Sequence, residues 1–196
     1  MNRAELKRQA REQLGCSIFK DNWPMAVVAV LVFSAIISAA STIPLAPLFL
    51  LGPLCVGLIE VFKNLKRFGE VKIENLFTGF TKDFSGTLVL GLLTNVFVFL
   101  WSLLFVIPGI VKAYEYSMAY YLKGEHTDWD WRRCLDESKA LTNGHKMELF
   151  ILDISFIGWY FVGALCFGVG ALWAEAYRHQ TFVIFYEQLI LTRVEG

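Results

Sequence analysis

Two short runs put ionisable side chains at helical spacing inside otherwise apolar sequence. Lys112 and Glu115 stand three residues apart, with Tyr114 and Tyr116 among them. Glu175, Arg178 and His179 fall at i, i+3 and i+4, with Tyr177 between. At these spacings the groups of each run share one helix face. An ionisable residue within a membrane-spanning helix costs about 2.5–3.5 kcal/mol on insertion scales, and it usually faces a bundle interior or a water-filled cavity. Opposite signs within each run allow neutralisation within one hairpin or between two. One reading is a salt-bridge cluster that pins two hairpins together at the outer leaflet. Another is a polar pocket open to the outside, lined by the tyrosines, that takes a substrate or a lipid headgroup. In the third the cations snorkel to the outer interface. A further set, Glu60, Asp153 and Glu187, falls near the opposite, inner ends of its helices. Three acids at similar depth would form a cation or proton path, or each would pair with a loop cation such as Lys63, Lys146 or Arg193.

Other chemistry finds little support. The chain has no GxSxG, HExxH, Walker loop or strand-linked GxGxxG, so catalysis is disfavoured and no cofactor is indicated. His126, His145 and His179 are isolated from one another. The four cysteines, Cys16, Cys55, Cys134 and Cys166, lack CxxC spacing and read as reduced thiols rather than as a zinc site or a disulfide framework. No metal site is expected.

The elements that must carry these groups follow from where charge is missing. Of 18 Lys and Arg, 16 lie in residues 1–20, 63–82 and 123–146 or at Arg193; Lys112 and Arg178 are the exceptions. The chain is 56% hydrophobic and 18% charged, with mean hydropathy +0.49, against about 25% charged residues in a soluble domain. Basic loops remain on the cytoplasmic side. The pattern therefore predicts an all-α polytopic membrane bundle of six helices, paired as three hairpins with both termini in the cytoplasm. The cationic segments contain interspersed acids, which argues against a nucleic-acid surface and for the bilayer and anionic lipid headgroups as partners.

Read in order, the single membrane domain 1–196 divides into a cytoplasmic amphipathic segment 1–22, hairpin 1 at 23–67, an interfacial segment 68–85, hairpin 2 at 86–122, a cytoplasmic amphipathic helix within 123–146, and hairpin 3 with the C-terminus at 147–196. Leu6, Ala10 and Leu14 make one stripe of the first segment. Asp21 or Asn22 caps the first span, with Trp23 at the interface, and the span runs from Pro24 to Ile43. That run is too long for a signal-peptide core. Pro44–Pro47, Ile107–Ile110 and Gly168–Gly170 make the outer turns. The returning spans are 48–66, 110–122 and 172–191, and the outgoing spans 86–106 and 147–166 complete the hairpins. Span 110–122 is short for a crossing. Asn95 is expected to bond a neighbouring helix. Val71–Phe84 suits the headgroup boundary. Thr127 or Asp128 caps a helix through Thr142, which rests on the inner interface through Trp129, Trp131 and Leu135. Lys112–Tyr116 and Glu175–His179 echo one another after successive turns, which suggests a repeated unit.

Several motifs in the second half carry a resemblance. They are Ile107-Pro108-Gly109-Ile110 with Lys112-Ala113-Tyr114 and Tyr116-Ser117-Met118; Ser138-Lys139 leading to Asn143-Gly144-His145-Lys146; Leu152 through Trp159; and Gly170 through Trp173 with Phe185-Tyr186. With Leu76 through Phe80, these span about residues 70–190 in order. Together they resemble the bacterial integral-membrane family known as domain of unknown function 975, found mostly in Gram-positive bacteria. This chain has Ala176 where the family commonly has Pro, and Gly124 through Thr127 where it often has an Asp- and Pro-containing turn. The resemblance implies a multi-span protein of the cytoplasmic membrane and supplies no catalytic residues.

The functional expectation is a non-enzymatic membrane protein that binds or accommodates a small molecule, lipid or peptide at the outer half of the bundle, in transport or membrane protection. The alternative is a structural or accessory subunit that acts through its cytoplasmic amphipathic helices. An intramembrane enzyme would require a water-accessible Asp153 or Glu187. Ligand, protein partner and oligomeric state are not legible.

Overall fold

The structure is a computed structural model, and it describes residues 3–15, 22–43, 46–104, 106–165 and 169–195. Several expectations fall outside those residues: Cys16, Cys166, the cap at Asp21, and parts of two outer turns, residues 44–45 and Gly168. Among the described residues every regular element is a helix. Three helices are long and apolar enough to cross a membrane: α2 (Trp23–Ala40), α3 (Ala46–Phe68) and α5 (Phe84–Leu104), with mean hydropathies of 2.2, 1.7 and 1.9. Their boundaries lie close to those read from hydropathy.

The fold is organised around α3 and the long C-terminal helix α11 (Val169–Glu195), which both pack against α2 and against each other. α1 (Arg3–Leu14) lies along α11 with Leu6, Ala10 and Leu14 fully buried, so the stripe read from the sequence forms part of the core. α3 owes its central place to small residues. A Cβ at Gly57 would overlap the Leu76 carbonyl, and one at Gly52 would overlap the Thr87 carbonyl of α5. Two helices and a loop can approach so closely only without side chains between them. The segment Val71–Phe84 folds onto α3, with a 3-10 turn at Ile73–Phe77 and the short α4 (Thr78–Thr81).

Of the three remaining expected crossings, 172–191 lies within the unbroken α11 and the other two are broken. The chain forms α6 (Val106–Tyr116) and α7 (Ala119–Glu125), separated at Ser117-Met118, and then α9 (Lys146–Ile154) and α10 (Ile157–Leu165), separated at Ser155-Phe156. One mechanism operates twice. Ser117 Oγ donates to the Tyr114 carbonyl at 2.8 Å, and Ser155 Oγ donates to the Leu152 carbonyl. A hydroxyl that bonds back three residues competes with the helical ladder. The Ile107–Ile110 motif is not a turn either; it forms the first turns of α6, where Pro108 lacks an N–H that would be unpaired anyway.

Smaller differences concern the partner each side chain finds. Asn22 makes no cap bond; its amide donates to the Gly69 carbonyl at 2.9 Å. Trp23 is buried, with its indole N–H on the Gly15 carbonyl. Asn95 bonds Gly91 of its own helix at 2.8 Å. α8 (Trp131–Thr142) is capped by Asp130 rather than by Thr127 or Asp128, and Leu135 packs with Leu90 and Ala119 in a small core. Gly144 ends this region with a φ of +84°, a conformation that side chains disfavour.

Outside the core, large apolar side chains are exposed along α2, the C-terminal half of α5, the start of α6 and α10. Leu31, Phe99, Leu103, Ile107, Ile157 and Phe161 are among them. Contiguous apolar surface on this scale marks contact with another phase or partner.

Candidate functional site

The second helix break is where ionisable groups gather. Arg178, on α11, donates through Nε to Asp153 Oδ1 at 2.6 Å and through a terminal nitrogen to Glu175 Oε1 at 3.2 Å. Asp153 is the penultimate residue of α9, and its other oxygen accepts from the Tyr114 hydroxyl at 2.9 Å. Glu175 also receives the Tyr160 hydroxyl of α10, and His179 Nε2 lies 3.1 Å away. Four helices thus meet at one guanidinium. His179 stacks on Phe62 of α3 with ring centroids 5.5 Å apart, which holds the imidazole in place.

These groups face an open cleft of about 420 Å³ lined by Tyr114, Asp153, Ile154, Ile157, Tyr160, Glu175 and Arg178. Side chains of Asp153, Arg178 and Glu175 are each 27–30% exposed, and Ile154 and Ile157 are exposed beside them. Two carboxylates oppose one guanidinium, which gives the cleft an excess of acidic over guanidinium groups. Tyr114 and Asp153 lie near the C-terminal ends of α6 and α9, where the helix dipole is negative and favours cations.

Not all the sequence candidates gather here. Lys112 and Glu115 form a separate network: the buried Glu115 carboxylate accepts from Lys112 at 2.5 Å and from Lys146, and Ser138 donates to its backbone carbonyl. Lys112 also sits over the rings of Trp101 and Tyr116. The two echoing pentapeptides therefore feed different clusters; Tyr114 of α6 reaches the second, and α9 gives Lys146 to the first and Asp153 to the second. Tyr177 is a core residue whose hydroxyl donates to the Lys7 carbonyl, so it lines no part of the cleft. The division into outer and inner groups also dissolves, because Asp153 of the inner set binds Arg178 of the outer. Glu60 and Glu187 pair elsewhere, with Lys82 at 3.5 Å and with Lys66. Among the described residues no group of three or more His, Cys, Asp or Glu side chains is arranged to hold a metal ion.

Sequence reading missed Tyr160 and the whole of a second junction. Glu125 at the end of α7 accepts from Lys63 at 2.5 Å, Arg67 at 3.0 Å and the Tyr186 hydroxyl at 2.7 Å, joining α3, α7 and α11. Burial raises the Glu125 pKa, but the hydrogen bond and charge of Lys63 outweigh it and hold the carboxyl below its ordinary value. Lys123 is buried with all three donors used, on Asp83 at 2.5 Å and on the carbonyls of Thr127 and Trp129. Burial again opposes and Lys123 prevails, so Asp83 is likewise held low. Cys55 and Cys134 are free, and burial raises the Cys134 thiol to about 11.

The chain belongs to the family described as protein of unknown function DUF975, whose model matches residues 1–114 and 103–193. No curated protein and no solved structure matches the chain.

Proposed function

We propose that this member of the family is a multi-pass protein of the cytoplasmic membrane that binds a hydrophobic cation, a small molecule or peptide, in the Arg178 cleft. The observation that carries the reading is the opening of a charged cluster at a helix break beside exposed Ile154 and Ile157. Irregular backbone at membrane depth is tolerated where it is buried in protein or lines a water-filled cavity. Half-helix C-terminal ends provide cation sites in transporters built from discontinuous helices. The acidic excess of the cleft and the ends of α6 and α9 supply that electrostatic preference here. A cation competes with Arg178 for Asp153 and Glu175 while its apolar part rests on the isoleucines. The role is binding rather than catalysis, in transport or in protecting the membrane from a cationic peptide.

In this reading α2, α3 and α5 cross the bilayer, α6 with α7 returns the chain, and both termini lie in the cytoplasm; Tyr177 packs against Trp23 at the cytoplasmic end of α2, so the nine-residue α10 and the start of α11 enter the inner leaflet without crossing it. Reporter fusions after residues 45 and 105 are expected outside, and one at residue 135 inside. The binding test uses two ions of nearly equal shape and opposite charge. Purified full-length protein in neutral detergent should bind tetraphenylphosphonium in equilibrium dialysis and leave tetraphenylborate free. Equal binding of both ions, or of neither, would remove this reading.

A second reading is favoured by one feature: every charged group in the cleft already has a partner in the protein. Arg178 would then serve to pin α9 to α11, in a structural or accessory subunit. Loss of folded protein in Arg178→Gln with no cation binding in the parent chain would support that role.

A further inference from the structure

Most cations of this protein are spoken for. Lys63, Lys66, Arg67, Lys82, Lys112, Lys123, Lys146, Arg178 and Arg193 each contact a carboxylate. Arg3, Lys7 and Arg11, like Arg132, Arg133 and Lys139 of α8, have no ion pair to a carboxylate among the described residues, but only the α1 set repeats at a constant four-residue spacing. The three cations of α1 therefore form one row about 12 Å long at the 1.5 Å rise of a helix. The orientation of the row is fixed, since Leu6, Ala10 and Leu14 are locked in the core on another face. The acids of α1 are held away from it, because Glu5 pairs with Arg8, and Arg8 also reaches Glu12.

The surroundings of the row identify what it meets. Lys7 Nζ donates to the Ser155 carbonyl at 3.2 Å and lies 4.3 Å from the Phe156 ring centroid, at the start of α10. Arg11 lies over Tyr177, whose ring is edge-on to Trp159. From there the exposed surface becomes apolar, through Ile157, Trp159, Phe161 and Val162. A cationic row, then an aromatic pair, then an apolar helix is the order of groups met on entering a bilayer from the cytoplasm. Burial, followed by the like charges of Arg3 and Arg11, lowers the Lys7 pKa. An anion between them would relieve that repulsion.

We infer that Arg3, Lys7 and Arg11 form a site for the phosphates of anionic phospholipids, which seats α1 and the start of α10 on the inner leaflet. The inference rests on the membrane reading of the chain but not on any ligand in the cleft. The test reconstitutes the full chain in phosphatidylcholine nanodiscs and titrates in chain-brominated phosphatidylglycerol, reading tryptophan quenching against brominated phosphatidylcholine as reference. Wild type should select phosphatidylglycerol. Arg3→Gln should weaken that selection about fivefold, the effect of one surface charge near an anionic leaflet, and R3Q/K7Q/R11Q should abolish it. R132Q/R133Q/K139Q, which removes unpaired cations of α8 that form no such row, should weaken it less than R3Q/K7Q/R11Q does. Arg3 is exposed, so its single variant retains a readable fold even where the triple variant does not. The inference is overturned by equal quenching from the two lipids in wild type. It is also overturned if R3Q retains full selection, if the α8 variant loses it, or if inorganic phosphate at constant ionic strength abolishes it in place of lipid.

Discussion

Around Glu125, two cations and a tyrosine hydroxyl converge on one carboxylate; around Arg178, two carboxylates converge on one guanidinium and each accepts a tyrosine hydroxyl. The components are nearly the same, and solvent access separates them. Lys63 is 1% exposed in the Glu125 junction, against 28% for Arg178 in the cleft. The junction ties three helices within continuous packing, whereas the cleft sits where α9 gives way to α10. The Lys63 ammonium is sealed in and can only hold helices together, with Arg67 covering the exposed edge of the junction. An open cluster can trade an internal partner for an external cation.

The contrast predicts unequal costs of removal. Glu125→Ala strands a buried ammonium, and removing one partner of a buried pair costs about 3–5 kcal/mol. Chemical denaturation in detergent should show a loss of that order; an unchanged midpoint would mean that the junction is not mechanical. Gly57→Ala tests the close packing on α3. Its methyl would collide with the Leu76 backbone, and overpacking typically costs about 1–3 kcal/mol. The same denaturation series reads that effect, and tolerance of alanine there would contradict the close approach to α3.

Acid provides a graded version. The folded Glu125 and Asp83 carboxyls lie below their ordinary values of 4.5 and 3.8. A depressed pKa contributes stability that is full above the unfolded value and is lost as pH falls through the folded one. Melting temperature should therefore be flat near neutrality and decline below about pH 4.5, the ordinary value for Glu125. Glu125→Gln should flatten that decline, at the cost of a lower plateau. Asp153→Asn is expected to have the smallest effect on stability, under about 1 kcal/mol, because a partly exposed pair is screened and worth little.

The same contrast explains what was legible in the sequence. Helix positions in the first half followed from long apolar runs with basic ends, and the Leu6, Ala10, Leu14 stripe followed from its spacing. The pairings of Lys112 with Glu115 and of Glu175 with Arg178 followed from helical periodicity, being local. Tyr160 and Asp153 joined them only through a break in a helix that hydropathy reads as continuous. An apolar run looks the same whether or not Ser117 or Ser155 turns its hydroxyl back on the chain. The Glu125 junction was hidden for a related reason. Lys63, Arg67 and Glu125 lie in charged stretches that look solvated, and only the fold of α7 against α3 reveals them as buried. Gly52 and Gly57 lay inside an apolar run, where nothing local distinguishes a packing face from a lipid face.

Affinity of the purified chain for tetraphenylphosphonium, compared between wild type and Asp153→Asn by equilibrium dialysis, is the most direct test of the central claim. The cleft account predicts at least about a tenfold loss of affinity, equivalent to about 1.4 kcal/mol, with the melting temperature nearly unchanged. Equal affinity in the two proteins would contradict it and leave Arg178 with a structural part alone.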